Sequence, residues 1–111
     1  GQGHEFGDKL IRLSAYIIDE TFGHYGKSYR IGGDEFSVIG KNISDEVIEL
    51  CYKEMQKKID EYNSINKEIN MSIAFGYAVY DPKLDEDLKD TRGRADGLMY
   101  KNKMNMKEKI N

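Results

Sequence analysis

The 111-residue sequence has one cysteine, Cys51, one proline, Pro82, and no tryptophan. A lone cysteine excludes an internal disulfide and a cysteine-based zinc site, and it suits a reducing compartment. A lone proline leaves no proline-rich linker to divide the chain, and the length is that of one domain. No apolar run approaches the roughly 20 residues that a membrane span needs, and no secretory signal is expected at the start. Positive charge is also scarce over most of the chain: residues 1–90 carry 11 basic and 18 acidic side chains, and residues 91–111 carry 6 basic and 2 acidic. With a net charge of −3, a broad DNA or RNA surface is not expected, although the basic C-terminal segment can meet phosphates locally.

Against these absences stand 39% hydrophobic and 33% charged residues, with 8 tyrosines and 4 phenylalanines. That is the composition of a soluble globular domain rather than a disordered chain. Helical spacing of Leu10, Leu13, Ile17 and Ile18, widened by Ile11 and Tyr16, predicts a helix over about residues 6–22 that stops at Gly23. Asp8 falls in its expected first turn, where a carboxylate suits the positive helix end. Two short strands follow, residues 28–31 and 35–39, joined at Gly32-Gly33, a pair suited to the positive φ angles of a type I′ turn. Ser44 caps the next predicted helix, with Asp45 and Glu46 in its first turn and Val47, Ile48, Cys51, Met55, Ile59 and Tyr62 as its apolar stripe. That helix ends near residues 63–66. A strand over residues 71–80 puts Ile73, Phe75, Tyr77 and Val79 on one face and smaller residues opposite, and Asp81-Pro82 ends it. An acidic loop, residues 85–90, leads to a last helix over about 91–105 with Leu98 and Met99 as its apolar residues.

The order α-β-β-α-β-α is what remains of a βαββαβ unit without its first strand, the ferredoxin-like pattern. The fold class expected is therefore α/β (α+β), a nucleotide-cyclase-type mixed sheet with helices packed on it and the first central strand missing. Because that strand would lie between the third and fourth, its absence is expected to leave a gap with unpaired backbone groups.

Arg30-Ile31-Gly32-Gly33-Asp34-Glu35-Phe36 resembles the signature of the GGDEF family, the diguanylate cyclases, without a substitution in its five central residues. Gly3-His4-Glu5-Phe6-Gly7-Asp8-Lys9-Leu10 resembles the GHxxGDxxL segment of that family. Met71-Ser72-Ile73-Ala74-Phe75-Gly76 resembles its SxG strand, and Ala95-Asp96-Gly97-Leu98-Met99-Tyr100-Lys101-Asn102-Lys103 its ADxALYxAK helix. The likeness covers essentially the whole chain, as a single N-terminally truncated GGDEF domain over residues 1–111.

The resemblance implies an enzyme that joins two GTP molecules into cyclic di-GMP, the bacterial second messenger, with release of pyrophosphate. It implies Mg²⁺ or Mn²⁺ as cofactor, a homodimer of two half-sites, and a sensor or receiver domain elsewhere in the polypeptide. A cytoplasmic location follows, with membrane attachment of the whole protein left open. Asp34 corresponds to the metal ligand that also assists deprotonation of the 3′-hydroxyl, and Glu35 to the second signature acid. Asp8 corresponds to the guanine ligand: its two acceptor oxygens suit the adjacent N1–H and N2–H donors of that base. Gly32 and Gly33 allow close backbone approach to the nucleotide. Lys103 and Lys107 correspond to the phosphate-binding positions.

Each of these residues also has a plainer use. Gly32-Gly33 serves any hairpin, Asp34 and Glu35 can be solvated strand-edge charges, Asp8 a helix-start carboxylate, and Lys103 one charge of a lysine-rich tail. His4 and His24 read as packing or surface residues, and Cys51 as a buried helix residue.

Three departures bear on activity. The family's leading strand, with a metal-binding Asp, a carbonyl ligand and a guanine-binding Asn, has no counterpart in these 111 residues, so turnover by them alone is not expected. The family's Gly-Arg-Asn is replaced by Met106-Lys107-Glu108, which keeps a charge and loses the guanidinium fork. Gly23 and Gly26 stand where many relatives carry the RxxD of a product-inhibition site, so feedback through it is not expected. The alternative reading is a degenerate GGDEF domain that binds GTP or cyclic di-GMP and signals by contact, and a weaker one is a purely structural dimerisation module.

Overall fold

A computed structural model describes residues 2–40, 43–66, 68 and 70–110, and the side chains of residues 7–106 within them. The elements follow the expected order: α1 (Gln2–Phe22), β1 (Gly26–Arg30), β2 (Glu35–Gly40), α2 (Asp45–Ile65), β3 (Ala74–Val79) and α3 (Leu88–Ile110). They form an α+β fold with one three-stranded mixed sheet, ordered β1-β2-β3.

Apolar periodicity builds one side of the sheet. Ile17, Ile18 and Phe22 of α1 and Cys51, Met55 and Ile59 of α2 close over Phe36, Val38, Phe75 and Tyr77 of the strands. Phe22 stacks on Phe75 with ring centroids 4.4 Å apart and lies 5.9 Å from Tyr77. Ser44 caps α2 as its sequence suggests, its hydroxyl accepting from the Val47 N–H at 3.3 Å. Asn63, near the expected end of that helix, grips Met71. Its amide donates to the Met71 carbonyl at 2.9 Å and accepts from the Met71 N–H at 2.8 Å. Tyr16, placed on the apolar face by spacing, is 53% exposed and lies outside the core.

The opposite face is built differently. Helix α3 lies against β3 and β2 through Thr91, Ala95 and Met99, all fully buried. A Cβ on Gly76 would overlap the Ala95 carbonyl and stand 2.5 Å from the Met99 nitrogen, so only glycine lets this helix backbone reach the strand. The small residues Ala74, Gly76 and Ala78 form this face, as the alternation along the strand requires. Leu98, expected to be an apolar contact of α3, is 49% exposed, because Met99 and Ala95 already define the buried stripe. The helix also begins three residues before the expected start: the Asp87 carboxylate accepts from the N–H groups of Lys89 and Asp90 at 3.0 and 3.2 Å and serves as its N-cap.

Two further expectations are corrected. The sheet has no gap: β2 pairs directly with β3 in parallel, from Glu35↔Ala74 to Gly40↔Val79, and the Ala74 N–H donates to the Asp34 carbonyl at 2.8 Å. Direct pairing satisfies the ladder groups that the gap would have left open. The hairpin is not a type I′ turn either. Neither Gly32 nor Gly33 has a φ in the left-handed region that such a turn requires, and β1 and β2 are joined through residues 31–34, with the Ile31 N–H donating to the Glu35 carbonyl at 2.8 Å.

Candidate active site

The signature acids stand where the hairpin enters β2. Asp34 is the last turn residue and is exposed, whereas Glu35 begins the strand and is half-buried. Arg30, the last residue of β1, donates from Nε to the Gly32 carbonyl at 2.8 Å and braces the turn from its incoming side. Beside the turn a cavity of about 300 Å³ opens between α1 and the approach to β3. It is lined by Gly7, Leu10 and Ser14 from α1, Gly33 and Asp34 from the turn, and residues 70–72. The middle of α1, the turn and the approach to β3 therefore meet beside Asp34.

On the other face of the sheet, α3 delivers Lys103 to Glu35. The Lys103 ammonium forms an ion pair with Glu35 Oε2. This contact, and then the charges of Glu35 and Asp34, hold the ammonium above its ordinary pKa. Three polar ties fix the helix in this register. Ser37, fully buried on β2, donates to Asp96 at 2.7 Å, and Asn102 accepts from the Phe75 N–H at 2.9 Å. Near the start of α3, Arg94 donates to both Asp85 oxygens at 2.8 and 2.5 Å and to the Val79 carbonyl at 2.7 Å.

Asp85 was read from the sequence only as part of an acidic loop. It is buried, and it accepts further bonds from Thr91 and from the Asp81 N–H at 2.9 and 3.1 Å. The Arg94 guanidinium, first among these partners, holds its carboxyl well below the usual range. The spacing of Asp85, Thr91 and Arg94 carries the only hint of this clamp, since the latter two share a helix face.

The sequence-derived residues are thus partly gathered. Gly33 and Asp34 line the cavity, Gly32 lies under the Glu35 side chain, and Lys103 reaches Glu35. Asp8 is exposed on α1, one residue beyond Gly7 in the cavity wall. Because α1 begins at Gln2, Asp8 lies in the second turn, past the reach of the helix-start field. The side chains of Lys107 and His4 lie outside the described residues. His24 is exposed and stacks edge-on against Tyr25 with ring centroids 6.5 Å apart.

Among the described residues no cluster of three or more histidine, cysteine or acidic side chains is placed to hold a metal ion. Asp34 offers one exposed carboxylate, and Glu35 is already paired with Lys103. Such a donor set fits a Mg²⁺ ion held by one or two carboxylates together with phosphate oxygens and water, and it does not fit a preformed protein cage.

Comparison with known proteins settles the family. The model of the family described as diguanylate cyclase, GGDEF domain, matches residues 2–109. The chain belongs to the GGDEF family. The domain is 29% identical to Diguanylate cyclase A of Treponema denticola over 97% of the chain, and 28% identical to Diguanylate cyclase VdcA of Vibrio cholerae over 91%. It is 32% identical to Diguanylate cyclase DgcZ of Escherichia coli, again over 91% of the chain. These matches span 29%, 31% and 34% of those relatives' own lengths, so this GGDEF domain corresponds to about a third of each. No solved structure matches the chain. Among the described residues no helix is long and apolar enough to cross a membrane.

Proposed function

We propose that this GGDEF domain condenses two GTP molecules into cyclic di-GMP and pyrophosphate, with Mg²⁺, in a homodimer whose half-sites face each other. The observation that carries this reading is the unbroken Gly32-Gly33-Asp34-Glu35-Phe36 signature on a hairpin turn, with Asp34 exposed at the mouth of a cavity. Each 3′-oxygen forms a bond to the α-phosphorus of the other nucleotide as the bond to the departing pyrophosphate breaks. Such a transfer depends on positioning and charge neutralisation more than on covalent catalysis. Mg²⁺, when bound, neutralises the triphosphate and the leaving pyrophosphate. Asp34 takes up the 3′-hydroxyl proton and supplies the carboxylate ligand for the ion. Asp8 accepts from guanine N1–H and N2–H. Lys103 and Lys107 hold the distal phosphates, while the slim turn at Gly32 and Gly33 lets backbone N–H groups approach them.

The relatives are about three times the length of this domain or more, which supports a sensor or receiver domain in the same polypeptide as the source of the input signal. The substrate pool places the reaction in the cytoplasm.

A second reading has its own observation. Met106-Lys107-Glu108 stands where the family has Gly-Arg-Asn and loses the guanidinium fork, which favours a degenerate domain that binds GTP or cyclic di-GMP and signals by contact. One experiment separates the two: incubate the protein from the intact reading frame with GTP and Mg²⁺, and follow cyclic di-GMP by mass spectrometry. Product that disappears in Asp34→Asn establishes the cyclase. Absence of product with nucleotide binding retained selects the receptor.

A further inference from the structure

The Glu35 side chain folds back over the hairpin, and a Cβ on Gly32 would overlap its Oε1 and stand 2.9 Å from its Cδ. At the neighbouring Gly33 a Cβ would meet nothing within 4 Å. Neither glycine adopts a backbone conformation that only glycine favours. The two glycines of the signature therefore differ: one borders open space, and the other leaves room for a side chain three residues later. That side chain is only 13% exposed and holds Lys103, which is 29% exposed and would otherwise move on a four-carbon stem. The Lys103 backbone is already located by the Asn102 bond to β3 and by the close approach of α3 at Gly76. The Glu35 contact sets the last rotatable bonds.

We propose that Glu35 is a positioning residue that holds the Lys103 ammonium at the leading end of β2, ready for the phosphates of a nucleoside triphosphate. At Gly32 the Glu35 carboxylate occupies the room that a Cβ would need, so a side chain there displaces the end of Glu35 from its present place. The inference rests on the reading of Lys103 as a phosphate-binding residue, and it moves Glu35 from the chemistry to the support of a neighbour. An ammonium held in advance binds phosphate with less loss of side-chain freedom.

The test compares the wild-type protein with Glu35→Met, Gly32→Ala and Gly33→Ala, each from the intact reading frame. The first readout is the ¹H–¹⁵N signal of the Lys103 ammonium, which persists only when the group is held against exchange with water. The signal is expected in wild type and Gly33→Ala, and lost in Glu35→Met and Gly32→Ala. The second readout is affinity for 3′-deoxy-GTP, which cannot cyclise, and it is expected to weaken about five- to tenfold in Glu35→Met and Gly32→Ala. A persistent ammonium signal in Glu35→Met overturns the proposal, and so does equal loss in Gly32→Ala and Gly33→Ala. Unchanged affinity in Glu35→Met overturns it as well. Should the wild-type protein make no cyclic di-GMP, the cyclase reading falls while both readouts still decide the role of Glu35.

Discussion

The two faces of the sheet are built on different principles. Toward α1 and α2 the contact is a layer of large apolar side chains centred on Phe22, Phe75 and Met55. Toward α3 it is a close backbone approach at Gly76, fastened by Ser37–Asp96, the Asn102 bond to Phe75 and the Asp85–Arg94 clamp. An apolar layer resists unfolding without directing any one atom to a place, since burial is non-directional. Polar ties of defined geometry direct a helix to one register. The face that carries Lys103 to the signature is the polar one, and its register decides whether lysine and carboxylate meet.

Breaking the apolar layer has the largest effect expected. Phe22→Ala removes a fully buried ring between Phe75 and Tyr77 and should lower stability by about 3–5 kcal/mol, measured by urea denaturation. On the other face, Gly76→Ala forces the α3 backbone away from β3. A loss of about 1–3 kcal/mol is expected, together with loss of the Lys103–Glu35 contact in the ammonium spectrum. A phenylalanine variant that spares this contact and a glycine variant that abolishes it would sharpen the contrast; the reverse pattern would end it.

Smaller, and opposite in sign, is Gly97→Ala. Gly97 is exposed within α3, and a Cβ there meets nothing within 4 Å. The substitution should stabilise by about 0.5–1 kcal/mol in thermal unfolding, because alanine suits a helix interior better than glycine.

The last effect is a loss of stability in acid. Asp85 has a depressed carboxyl pKa in the folded protein, chiefly through Arg94. Its contribution is therefore complete above the ordinary carboxylate value near 4, and it is lost as acid protonates the unfolded chain first. Stability followed by urea denaturation from pH 6 to pH 3 should fall below about pH 5, with a shallower fall in Asp85→Asn. Equal slopes would show that the clamp does not set the acid response.

Much of the apolar face was legible in the sequence. The stripe Cys51, Met55 and Ile59, the Ser44 cap and the alternation along β3 are local patterns, and each element formed where they pointed. The polar face was not legible. The pattern predicts Leu98 as a contact, whereas Thr91 and Ala95 do the packing, since small and polar residues leave no amphipathic signal. In the sequence Asp85 is one charge among many in an acidic loop, and only the fold sets Arg94 beside it. The signature's place on a hairpin is readable in the sequence, but the fold of the Glu35 side chain over Gly32 is not, because it depends on Lys103 from the last helix.

The sequence by itself determined the order of elements, the Ser44 cap, the apolar stripe of α2 and the family signature, because each depends on residues a few positions apart. Tertiary structure alone decided that β2 and β3 pair directly in parallel and that Lys103 meets Glu35, 68 residues away in the chain. Neighbours in sequence carry no information about such partners. They come together only when α3 is seated on a strand that has a glycine at the point of contact.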